Sequence, residues 1–124
     1  PILLFFFYEG YKPTPQSIAD LGGGFVAEQA LAIGLWCALT ARSLEEGVIA
    51  AVNHSGNSVS TGLIAGHFLG AQHGAASIPA LWLERLELRE VIVKVSEDLE
   101  RIPRDYCGIG GAFDQLIEQA YPGS

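Results

Sequence analysis

The stretch Phe25–Ala41 constrains the fold of this chain more than any other. It contains no Pro, is dominated by Ala, Leu, Ile and Glu, and therefore reads as a helix. Its apolar residues, among them Leu31, Ile33, Leu35, Trp36, Ala38 and Leu39, fall on nearly every face. A helix that is apolar all round belongs at the buried centre of a bundle. Gly22-Gly23-Gly24 precedes it and supplies the backbone freedom for a tight turn.

The remaining strong signals are also helical. Gly10–Pro15 reads as loop, and a short helix is expected over Gln16–Leu21. Ser43 with Glu46 three residues on has the pattern of a capping box, opening a helix to about Asn53. A loop over Asn53–Ser58 leads into a helix from about Val59 to Gln72, ended by Gly74. Gly62, Gly66 and Gly70 share one stripe of that helix, which predicts close approach of another backbone. A short helix opens at Ser77-Ile78-Pro79 and carries Trp82.

An amphipathic helix follows over Leu86–Arg101, with Leu88, Val91, Ile92, Val95 and Leu99 as its apolar stripe and Glu90–Lys94 as an i,i+4 pair. Pro103 is expected to break it. Gly108–Gly111 reads as a turn and Phe113–Tyr121 as a terminal helix. Residues 2–8 are apolar and fit a buried strand or a short core helix equally well. The expected class is all-α, an orthogonal helical bundle.

The chain has 14 acidic and 7 basic residues, a net charge of −7. Its basic residues are scattered, which argues against nucleic acid and against an anionic membrane surface as partners. The seven-residue apolar start is too short to span a bilayer as a helix and lacks the basic flank of a signal peptide. The chain contains no Met, a hint that residue 1 is not a natural start.

Apolar residues with glycine make up about 58% of the chain, where soluble domains give about 45–50%. A domain of 124 residues has too much surface to hide that excess easily. Association is therefore expected, most simply as a homodimer. Two cysteines, Cys37 and Cys107, make neither a disulfide framework nor a structural zinc site. Cys37 lies in the apolar helix, where a buried free thiol is the ordinary reading, and a reducing, cytoplasmic compartment is expected.

The chemistry-bearing residues cluster in Asn53-His-Ser-Gly-Asn-Ser-Val-Ser-Thr-Gly62. Asn57 suits a helix N-cap. Val59 reads as core or lid packing, and Ser60 and Thr61 as first-turn residues. His54 has no acid or nucleophile to pair with and reads as a residue that structures the loop. His67 and His73, six apart, do not align on one helix face.

Three ordered blocks, Leu21–Leu35, Ala50–Gly56 and Thr61–Gly66, resemble the C-terminal part of the ADP-ribosylglycohydrolase family. Ile78-Pro79 and Trp82-Leu83 follow at a similar spacing, and Leu86–Ile92 resembles bacterial members. The resemblance covers about residues 21–100. It implies a divergent segment over 1–20, a family-like helical region over 21–102 and a C-terminal turn and helix over 103–124. It also implies an all-α fold that holds two Mg²⁺ ions beside the ribose of ADP-ribose and cleaves its bond to an acceptor.

The family's metal motif is Asp-x-Asp-Ser/Thr at a helix start. This chain has Asn57, Val59 and Ser60 at those positions, so both carboxylates are missing. No segment resembles the other metal ligands, which lie in the family's N-terminal half. No cofactor is therefore expected in this chain, although Mg²⁺ serves the family. The resemblance places Gly23, Gly24 and Phe25 near the substrate cleft, with backbone N–H groups for a phosphate and Phe25 as a wall for the adenosine. Glu28 is implied as a helix-start residue supporting the glycine loop.

Three readings follow. The chain is a truncated or degenerate member without hydrolase activity, a non-catalytic ADP-ribose-binding or self-association module, or part of an enzyme completed by another chain.

Overall fold

The computed structural model describes residues 11–105 and 119–122, with side chains described to Arg101 and again from Gln119. The readings of residues 2–8, Cys107, the 108–111 turn and most of the 113–121 helix lie outside the described residues. The described residues contain helices and no strand. They fall into two compact units, one ending at Leu83 and one beginning at Glu84.

In the first unit, α1 spans Pro15–Asp20. Thr14 caps it: its Oγ1 accepts from Ser17 N, and Ser17 Oγ accepts from Thr14 N at 2.9 Å. Pro15 stands at the first helical position, where its missing N–H is no loss. The helix buries Ile18.

Helix α2 spans Ala27–Thr40, α3 Leu44–Val52 and α4 Ser58–His73. These three pack on one another. Their core is Ile33, Trp36, Cys37, Ala38, Leu44, Ala51, Ala65 and Leu69, joined by Ile18. Full burial of a side chain such as Ile33 or Leu69 stabilises by about 1.5–3 kcal/mol. Trp36 is buried too, and its indole Nε1 donates to Tyr11 O at 2.9 Å, which ties the segment before α1 to α2.

Helix α2 is central but not buried all round, since Leu31 and Leu39 are exposed. The reason is that α3 and α4 cover only part of its circumference within this unit. Glycine makes their close approach feasible. A Cβ at Gly34 of α2 would stand 2.6 Å from Ile64 Cγ2 and 3.2 Å from Ala65 N of α4. One at Gly47 of α3 would strike Leu69 and stand 2.9 Å from Ala41 Cβ. The expected stripe on α4 is corrected accordingly. Gly62 meets only the Val52 side chain, while Gly66 and Gly70 have nothing near.

Ser43 caps α3, accepting from Glu46 N at 3.1 Å. The reciprocal half of the capping box is not made. Glu46 instead accepts from Arg42 N at 3.0 Å and from Lys12 Nζ. Those bonds, the Lys12 one first, hold its carboxyl below the usual range. Gly74, with φ 75°, ends α4, and a 3₁₀ turn over Ala75–Ser77 leads to α5, Ala80–Glu84. Ile78 and Trp82 pack against the core.

The second unit is dominated by α6, Arg89–Asp105. It starts three residues later than expected because Leu88 takes a left-handed φ of 54°. It continues past Pro103, which removes one N–H bond close to the helix end and does not stop it. Lys94 pairs with Asp98 at 2.6 Å rather than with Glu90. Asp98 also accepts from Tyr121 OH at 2.9 Å, and Lys94 lies 5.1 Å from the Tyr121 ring centre. The expected stripe residues Leu88, Val91, Ile92 and Leu99 are exposed, with Val95 half-buried. Among the described residues no helix is long and apolar enough to cross a membrane.

Candidate functional site

Two loops that are distant in sequence meet at the start of α4. The first is Gly22–Gly24, whose φ values of 103°, 75° and 81° are all left-handed. Only glycine adopts three such residues in a row without strain. The second is Asn53–Asn57, between α3 and α4. Gly23 O accepts from Asn57 N at 2.8 Å. Gly56 lies so close to Gly23 that a Cβ there would sit on the Gly23 carbonyl. Gly24 rests on Thr61, whose Cγ2 would be 2.7 Å from a Cβ at that position.

His54 organises the second loop. Its Nδ1 accepts from Gly56 N at 3.0 Å. With Nδ1 accepting, Nε2 carries the proton, and it lies 3.0 Å from both Ala51 O and Thr61 Oγ1. The Thr61 hydroxyl, fully buried, donates to Ala51 O at 2.6 Å. Ser58 Oγ donates to His54 O at 3.2 Å. The imidazole is thus engaged at both nitrogens, as a loop-structuring residue is, and has no free lone pair to act as a base.

Asn57 is the N-cap of α4, with Oδ1 accepting from Ser60 N at 3.2 Å. Val59 was expected in the core or against a lid. It is 81% exposed, because the second helical position falls on the outer side of α4. Ser60 is half-buried in the first turn. No acidic residue stands in that turn.

These residues do not fit a Mg²⁺ site. The ion needs several oxygen donors in near-octahedral array, normally including carboxylates. Here Asn57 Oδ1 is spent on the cap, Val59 has no donor, and a lone serine hydroxyl is left. No cluster of three His, Cys, Asp or Glu suited to a metal occurs among the described residues.

Of the expected substrate residues, Gly23 and Gly24 are buried. Phe25 is 71% exposed, with its ring edge beside Gly23. The sequence reasoning brought out both loops but not their contact. Glu28 stands in the first turn of α2, as expected of a helix-start residue; the reasoning missed Gln29, whose side chain packs on the glycine loop in the space a Cβ on Gly22 would need. Gln29 Oε1 is buried without a hydrogen-bond partner among the described residues. Thr61 was named only as a first-turn residue. Its position four residues after the cap, on the buried side of α4, was the available signal.

Cys37 is buried, and desolvation pushes its thiol up to about 12. It borders a hollow of about 100 Å³ with Lys12, Thr40 and Glu46, and offers no thiolate for chemistry there.

No curated protein and no solved structure matches the chain. The family model described as ADP-ribosylglycohydrolase matches residues 7–107. That span covers most of the chain, including both loops and every helix from α1 to α5, and the chain belongs to the ADP-ribosylglycohydrolase family.

Proposed function

We propose that this chain is a member of its family that does not hydrolyse ADP-ribosyl bonds by itself. One observation carries the reading: the first turn of α4 has no carboxylate, and Asn57, at the first family ligand position, spends its side-chain oxygen on its own helix. Without a dication at that corner, nothing there orients the ribose or offsets charge as the glycosidic bond breaks.

A second reading is favoured by Phe25. An exposed aromatic ring beside the left-handed Gly22–Gly24 loop suits a site that holds ADP-ribose without cleaving it. Exposed Leu31, Leu39 and Leu63 in the first unit support self-association as a homodimer.

Calorimetric titration with ADP-ribose, with and without Mg²⁺, separates these readings. Binding that requires Mg²⁺ contradicts the first. Binding unchanged by chelator supports the ADP-ribose-holding module. No heat at millimolar ligand, from a chain shown to be helical by circular dichroism, leaves the non-hydrolytic reading without a ligand role.

A further inference from the structure

We infer that the Asn53–Thr61 corner keeps its shape without any cation, and that His54 is the group that sets it. The inference rests on the same reading of the corner as the proposed function, but it concerns folding rather than ligand binding.

A metal-built loop leaves oxygens pointing at a common centre, and those oxygens repel one another when the ion is absent. This corner has the opposite character. Gly56 N–H is taken by His54 Nδ1, Asn57 N–H by Gly23 O, and Ser60 N–H by Asn57 Oδ1. Ala51 O, at the end of α3, receives the Thr61 hydroxyl, with His54 Nε2–H shared between the two. One imidazole therefore links the last turn of α3, the loop and the first turn of α4. Its two nitrogens lie on opposite sides of a rigid ring, so they hold those three backbone segments at set separations. A neutral ring serves here because one nitrogen must accept and the other donate.

The test uses the whole chain, ¹⁵N-labelled, with Mg²⁺ or Mn²⁺ alone as the probe. In chelator, His54 should show the nitrogen shifts of an imidazole protonated at Nε2 and bare at Nδ1. Millimolar Mg²⁺ should leave those shifts and the melting temperature unchanged. Substoichiometric Mn²⁺ should broaden amides 56–60 no more than other exposed amides. In His54→Ala, amide exchange at Gly56 should speed up by about tenfold or more. His54→Asn, whose Oδ1 can stand in for Nδ1, should recover part of that loss.

Selective Mn²⁺ broadening at residues 56–60, or a saturable rise in melting temperature with Mg²⁺, would overturn the cation-free half. An Nδ1-protonated ring, or unchanged Gly56 exchange in His54→Ala, would overturn the role of His54. If the alanine variant does not fold, the wild-type nitrogen shifts decide alone. None of these outcomes depends on ADP-ribose.

Discussion

The amide N–H of Asn57 donates to the carbonyl of Gly23 at 2.8 Å, and this bond joins the glycine loop to the start of α4. Glycine is needed on both sides for different reasons: a Cβ on Gly56 would sit on the Gly23 carbonyl, and Gly23 holds a left-handed φ of 75°.

Alanine substitutions at the glycines should therefore sort by location. Gly56→Ala places a methyl on the Gly23 backbone and should cost about 3 kcal/mol, the upper end for over-packing. Gly66→Ala enters open space in the middle of α4 and should stabilise by about 0.5–1 kcal/mol. Urea unfolding followed by circular dichroism measures both.

Thr61→Val keeps the shape under Gly24 but removes the buried hydroxyl. Ala51 O then loses its 2.6 Å donor and must rely on His54 Nε2. A loss of about 1–3 kcal/mol is expected from the same unfolding assay.

At the helix start, Asn57→Ala should cost about 1 kcal/mol through loss of the cap. Val59→Asp should be tolerated and should add about 0.3–1 kcal/mol, since the side chain is exposed and an acid in the first turn opposes the helix dipole favourably. Opposite shifts in melting temperature for these two variants are the readout.

Burial holds the Cys37 thiol near 12, well above its ordinary value of 9.0. The unfolded chain ionises first, so this group's contribution is fully present below the unfolded value and is lost as pH rises from about 9 towards 12. Wild-type stability should fall more steeply over that window than that of Cys37→Ala. In a Cys107→Ser background, Cys37 should resist a thiol reagent until urea unfolds the chain.

Much of this arrangement is written in local sequence. Ser43 and Asn57 announce helix starts because a cap needs only its own next three residues, whereas Thr14, in a segment read as loop, caps a helix that begins at Pro15, one residue before the expected start. The pairing of Gly23 with Gly56 is not announced, because nothing local says which of two glycine-containing loops lies against which. Glycine spacing on α4 specified a face but not a neighbour, and the neighbours lie instead across from Gly34 and Gly47. Lys94 had an acid on either side at four residues. Asp98 prevails, and it is the one that Tyr121 also contacts, from 23 residues away. Val59 was read as core or lid packing, and its place as the second helical residue put it on the outer side of α4 instead.

The central claim is tested most directly by incubating the chain, in excess over an ADP-ribosylated peptide and with Mg²⁺, and following release of ADP-ribose by mass spectrometry. Release at the rate of a protein-free control is predicted, with and without chelator. Mg²⁺-dependent release above that rate would show that the α4 corner still serves hydrolysis and would contradict the account.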